Sequence, residues 1–227
     1  MLAYVFVLVV LLGLGNWQLA RSEQKRVFLD IETQRSNSKS LDLSELLTEN
    51  LTDLKYKTIT LEGHYDQAHQ FFLDNQISDA KAGYFVLTPF IIEGLNIAIL
   101  VNRGWLPLNL DRTKLPEIGM VNLNQSISGR INSFPSVGMK LANVEIPTDN
   151  WPSVVQVVNT GILSKKLGYT LFQYQLELDP ELPNGFKRVW LKSRIMSPEQ
   201  HLAYAIQWFG LALTLTIIFL VLNTKKQ

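Results

Sequence analysis

Apolar and polar positions divide the chain into three stretches with different periodicities. From Leu2 to Leu14 the only polar side-chain atom is the hydroxyl of Tyr4, and no acid or base precedes Arg21. At the other end no charged side chain occurs between Ala203 and Thr224. At a rise of about 1.5 Å per residue, Leu202–Leu222 spans roughly 30 Å, the thickness of a bilayer's hydrocarbon core. The first run reaches that length only if it continues through Gly15, Asn16, Trp17, Gln18 and Leu19. The pattern predicts transmembrane helices over 1–20 and 198–222, a folded domain over 21–197 and a short tail over 223–227.

Between the two spans the period changes from that of a helix to that of a strand. Arg21–Leu29 contains no helix breaker, so the first helix is expected to continue beyond the membrane. Ser36–Ser40 reads as a loop. Asp42–Leu51 places Leu43, Leu46, Leu47 and Leu51 on one face of a short amphipathic helix. From Lys55 onward the pattern alternates. Ile59, Leu61 and Gly63 oppose Thr58, Thr60 and Glu62, and further strands are predicted over Gln70–Gln76, Tyr84–Ile92, Ile97–Arg103, Val121–Ile131, Val154–Val158 and Thr170–Leu178. Glu93-Gly94-Leu95-Asn96 suits a hairpin connection. Pro107–Pro116 and Phe134–Pro152 read as long loops. The expected fold class is an α+β membrane protein. Two terminal helices flank a mainly antiparallel β domain, either open or partly closed into a barrel.

The second span carries its own start signal. Ser197 fits the N-cap, Pro198 the first helical position, and Gln200 completes a Ser-x-x-Gln capping box. His201 therefore falls in the first turn, at the membrane interface.

Charge sets orientation and excludes partners. Lys225 and Lys226 follow the second span, which places that end in the cytoplasm by the positive-inside rule; two spans bring the N-terminus to the same side. The central domain is then expected in the periplasm of a bacterial inner membrane. The first span lacks a basic leader and an A-x-A-like site, which argues for a retained helix over a cleaved signal. The missing basic start also points to a natural start slightly upstream. Without Lys225 and Lys226, the chain's 21 lysines and arginines nearly balance its 20 acids. A near-neutral domain gives no electrostatic reason to expect nucleic acid. With no cysteine, disulfides, thiolate chemistry and Cys-ligated metals are excluded. No Gly-x-Ser-x-Gly, His-Glu-x-x-His, P-loop or Gly-x-Gly-x-x-Gly occurs, so no enzyme signature is present.

Three constellations remain. His201, Tyr204, Ala205 and Trp208 share a helical face. Such a face could ligate an iron porphyrin through His201, or it could be an aromatic belt that anchors the helix. Trp17, Arg21 and Lys25 share a face of the first helix, where the two cations could meet carboxylates or propionates or simply anchor a helix end. His64, Asp66 and His69 could contribute to a divalent-metal site, although nothing completes the set. Gly210 and Thr214 form one small-x-x-x-small step suited to helix packing.

Four blocks resemble the surfeit-locus cytochrome c oxidase assembly family. They are Leu14-Gly15-Asn16-Trp17-Gln18-Leu19-Ala20-Arg21 with Lys25, Gly83–Phe90, Val101-Asn102-Arg103-Gly104-Trp105-Leu106-Pro107, and Pro198–Phe209. They run in the family's order from one span to the other. The resemblance implies a non-enzymatic assembly factor for haem–copper cytochrome c oxidase, one that receives or stabilises haem a for the catalytic subunit. Haem a synthase is a further candidate partner, besides the lipid bilayer. The family's haem-linked histidine matches His201, with Tyr204, Trp208, Arg21 and Lys25 as the expected surroundings of the cofactor. Arg103 and Trp105 match the family's Val-Asn-Arg-Gly-Trp, with either a functional or a folding role. The competing expectation is a cofactor-free chaperone that docks on a nascent oxidase subunit.

Overall fold

A computed structural model describes residues 1–224 except 110, 112–113, 120–123, 137–142 and 191–195. Lys225 and Lys226, and the first residues of the strand expected over Val121–Ile131, lie outside the described residues. The chain forms two compact units, Met1–Gln34 with Leu191–Gln227, and Arg35–Trp190.

The first unit is a helix pair. α1 (Leu2–Ser36) continues as one helix well past the apolar run, and α5 (Pro198–Thr224) follows the second apolar run. Both are long and apolar enough to cross a membrane, and most of their large apolar side chains face outward, among them Phe6, Leu213 and Leu222. That exposure suits lipid as the surrounding solvent. The chain is therefore a membrane protein with an apolar helix at each end.

The two helices run antiparallel. Tyr4 stacks on Phe219 with ring centroids 4.0 Å apart and donates to Thr216 Oγ1. Gly15 meets Phe209, Gln18 meets His201, and Ser22 meets Pro198. The buried line on α1 is Gly15, Gln18 and Ser22; on α5 it is Pro198, His201, Ala205 and Ala212. Small side chains let the backbones approach, since lipid supplies no hydrophobic drive for helices to associate. Gly210 and Thr214, expected to serve this packing, instead lie on the exposed side of α5. The line that faces α1 is set by Ala205 and Ala212, two turns apart.

The second unit is a mixed β domain. Its strands are β1 (Thr58–Tyr65), β2 (Phe71–Ser78), β3 (Lys81–Ile92), β4 (Ile97–Pro107), β5 (Asn124–Asn132), β6 (Ser153–Val155) and β7 (Thr170–Leu178). Two short helices, α2 (Leu43–Thr48) and α3 (Leu51–Leu54), precede them, and α4 (Thr160–Leu167) joins β6 to β7. Sheet order is β1-β5-β7-β4-β3-β2-β6, with a further pairing of β1 to β3. That last pairing makes the arrangement barrel-like. The first half of β3 pairs with β2, while Phe90–Ile92 turn to pair with Tyr65–Gly63 of β1. Alternate residues of the five strands in the ring meet inside it, including Ile59, Phe90, Ile99, Ile131 and Leu176. The expected antiparallel pairings predominate, but β4–β7 and β2–β6 are parallel. The crossover through α4 permits the β4–β7 pairing, because parallel neighbours cannot be joined by a tight turn.

Two elements depart from the alternation read in the sequence. β7 buries Gln175 and Glu177 because each finds partners. Asn102 Nδ2 donates to Gln175 Oε1 at 3.0 Å, and Arg130 and Asn132 both donate to Glu177. The β2–β3 hairpin turns on Asp79 and Ala80, at φ +48° and +58°, the left-handed pair that matches strand twist.

Candidate functional site

The first turn of α5 is built as its capping box dictates. Ser197 N donates to Gln200 Oε1 at 3.0 Å, and Gln200 N donates to Ser197 Oγ at 3.3 Å. His201 N then reaches Ser197 O at 3.2 Å. Ser22 Oγ donates to Pro198 O at 2.8 Å, tying the same turn to α1. These contacts fix the backbone that carries His201.

The imidazole itself is buried, at 8% exposure, and its Nδ1 lies 2.7 Å from Gln18 Oε1. An amide oxygen only accepts, so Nδ1–H donates. In the neutral ring this fixes the tautomer and leaves Nε2 with a free lone pair. A metal-binding histidine typically has its second nitrogen held by an acceptor in this way. The residues therefore fit an axial ligand to haem iron. Gln18 is also explained: a buried amide in an apolar helix is costly without a partner.

The other expected site residues stand apart from this pair. Tyr204 is 45% exposed and Trp208 half-buried. The arginine of the first helix lies over a tryptophan one turn back, with Arg21 Cζ 5.8 Å from the Trp17 ring, and it donates to Gln24 Oε1 at 3.2 Å. Lys25 Nζ lies 6.0 Å from the Phe28 ring. Both cations occupy one side of α1 and, among the described residues, have only local partners, so they can be redirected to an anion without disturbing a core.

Gln18 is the residue that sequence reasoning missed. Its signal was available, since it lies within an apolar span, three residues after Gly15 and four before Ser22. That spacing cannot, however, name the partner 183 residues away. Gly15 is required by a close approach: a Cβ there would lie 2.6 Å from Phe209 Cε1.

In the β domain the histidine pair separates. His69 Nδ1 pairs with Asp66 Oδ2 at 2.7 Å, and Tyr169 Oη donates to the same oxygen at 2.8 Å. Burial, together with the Asp66 carboxylate, raises the Tyr169 phenol above its ordinary range. His64 stays on β1, opposite Ile91 and Asn124. Among the described residues no three such groups converge to hold a metal ion.

Arg103 and Trp105 bind the end of β4 to the segment 184–188. Arg103 Nε donates to Asn184 O at 2.8 Å, Phe186 N to Arg103 O at 2.6 Å, and Trp105 N to Lys187 O at 2.8 Å. Gly104 between them sits at φ +113°, where a side chain would be strained and its Cβ would meet Lys187 O at 2.8 Å. This geometry supports a folding role for the motif.

Comparison with known proteins agrees with the four sequence blocks. A model of the SURF1 family matches residues 5–213. The chain is similar to a SURF1-like protein of Rickettsia bellii, 27% identical over 223 residues that cover 96% of this chain and 88% of the relative. It is similar to Surfeit locus protein 1 of Takifugu rubripes, 21% identical over 94% of this chain and 92% of the relative. A SURF1-like protein of Rickettsia conorii is 27% identical over 95% of this chain and 88% of its own length. The match runs through both apolar helices and the β domain between them, and on that evidence the chain belongs to the SURF1 family.

Proposed function

We propose that this protein is a membrane-bound assembly factor for haem–copper cytochrome c oxidase, and that it holds haem a transiently for delivery to the catalytic subunit. Family membership supports the assembly role, which needs no catalysis by this chain. The observation that carries the haem reading is the Gln18–His201 hydrogen bond, which presents one oriented imidazole nitrogen at the start of α5. His201 Nε2 would hold the iron of haem a as its one protein ligand, an attachment weak enough to allow release. The exposed face of Tyr204, with Trp208 beside it, supplies apolar surface for the porphyrin, and Arg21 or Lys25 would meet its propionates.

In this reading 1–20 and 198–222 are embedded in the inner membrane, 223–227 is cytoplasmic and 21–197 is periplasmic, the orientation favoured by Lys225 and Lys226. Haem a synthase is a candidate donor. One observation favours a second reading, a cofactor-free chaperone that docks on the nascent catalytic subunit: Ile206, Leu213 and Ile217 are exposed at 64%, 63% and 53% and share one side of α5.

The experiment is removal of the protein from a cell that makes haem a. Oxidase activity and the haem a absorbance of the catalytic subunit are expected to fall, while b-type haem in the same membranes stays unchanged. Undiminished haem a in the oxidase would contradict the proposal.

A further inference from the structure

Inside the β domain lies a positive charge that the fold does not neutralise. Arg103 is 2% exposed. Its guanidinium donates to Asn184 O at 2.8 Å and to Gln70 Oε1 at 3.2 Å, and Gln70 is held in place by Thr88 Oγ1 at 3.0 Å. All of these acceptors are neutral. The Tyr65 and Phe186 rings flank the charge, with centroids 5.9 and 5.0 Å from Cζ. No carboxylate pairs with Arg103 among the described residues, and the undescribed stretches contain no aspartate or glutamate. A buried charge normally has a partner of opposite sign, because desolvation costs several kcal/mol per ion.

A second guanidinium, that of Arg188, is near enough for its charge to act on Arg103. Arg188 crosses Gly104, where a Cβ would stand 2.8 Å from Arg188 Cγ. Among the described residues it donates to the backbone carbonyls of Asp179 and Leu182, and the Asp179 carboxylate also acts on its charge. Burial and the charge of Arg188 both lower the Arg103 pKa, and burial pushes the Tyr65 phenol up to about 12 against the opposing charges of Arg103 and Arg188.

The third observation is independent of charge. Tyr65 is 1% exposed, and its hydroxyl has no hydrogen-bond partner among the described residues. Leaving a buried hydroxyl unsatisfied is costly, because the group has given up its hydrogen bond to water. The buried Arg103 guanidinium and the orphan Tyr65 O–H both have a donor to offer, and Arg103 lacks an acceptor that carries negative charge among the described residues.

We propose that Arg103, Arg188 and Tyr65 form a binding site for a small carboxylate. The group enters past Arg188, which is half-buried, and takes hydrogen bonds from the guanidiniums and from Tyr65 Oη. A small planar monoanion suits this closed, ring-flanked place better than a hydrated phosphate. A polypeptide could not enter without opening the segment 184–188.

The test uses the full chain in detergent and follows thermal unfolding as acetate replaces chloride at constant ionic strength. Acetate is expected to raise the midpoint along a saturating curve. Tyr65→Phe removes only the unpartnered hydroxyl, so it should fold as the wild type does and weaken acetate binding about tenfold or more, the worth of a hydrogen bond to a charged group. Arg188→Gln should abolish the saturable response. A non-saturating response, or one of equal strength in Tyr65→Phe, would overturn the site and leave a buried water as the partner of Tyr65. A saturable response to phosphate without one to acetate would overturn the carboxylate assignment.

Discussion

His201 Nδ1 lies 2.7 Å from Gln18 Oε1, joining the first turn of α5 to α1. The two energies attached to this contact differ in size. A side-chain hydrogen bond between membrane helices contributes about 1 kcal/mol. An acceptor that orients a metal-ligating histidine is worth roughly 10–100-fold in metal affinity. In the proposed haem site the bond would matter more for ligand orientation than for holding the helices together.

Gln18→Leu is accordingly expected to reduce haem retention about 10–100-fold while leaving the amount of protein in the membrane nearly unchanged. Gln18→Glu keeps an acceptor and should retain most of the haem. Haem absorbance per mole of purified protein measures both. Equal haem in Gln18→Leu and wild type would show that the tether has no part in ligation.

Gly15→Val should disturb the helix pair, because the added side chain meets the Phe209 ring at a distance where the ring must move. A loss of about 1–3 kcal/mol is expected, typical of overpacking. In combination with Phe209→Ala the loss should be relieved, giving a coupling of at least ~0.5 kcal/mol in a double-mutant cycle. Additive effects in thermal unfolding would mean that the two positions do not meet.

Much of this arrangement is legible in the sequence where the signal is local. The Ser197-x-x-Gln200 box fixes where α5 begins, and Glu93–Asn96 joins two strands as the alternation requires. α4 also carried local signals, Asn159 accepting from Gly161 and Ile162 at its start and Gly168 at φ +81° at its end. These signals lay between two strands read only as an interval. Other features have no local cause. The parallel register of β7 on β4 follows from a crossover, and the burial of Gln175 depends on Asn102. Periodicity identifies which face of a helix is distinct. It does not say that the partner of Gln18 is His201, or that Tyr204 stays outward.

Arg21→Ala with Lys25→Ala is expected to lower haem retention severalfold without loss of protein from the membrane, because among the described residues both cations have only local partners on α1. Immunoblotting of membranes beside the haem spectrum separates the effects. Loss of the protein itself would make these residues structural and remove support for propionate contacts.

Topology can be read with a reporter active only in the periplasm. Fusion after Asn184 should give activity and fusion after Gln227 should not, as the positive-inside rule requires with Lys225 and Lys226 in the cytoplasm. The reverse pattern would contradict the orientation.

The haem spectrum of His201→Ala, purified from cells that make haem a, tests the central claim most directly. The variant is expected to lose or strongly shift the haem absorbance while its membrane level stays that of the wild type, since Ser22 and the Gly15–Phe209 contact still hold the helices. His201→Met, which still offers a soft axial ligand, should keep some haem with an altered spectrum. A full, unshifted spectrum in His201→Ala would contradict the ligand assignment and make docking on the oxidase subunit the better account of α5.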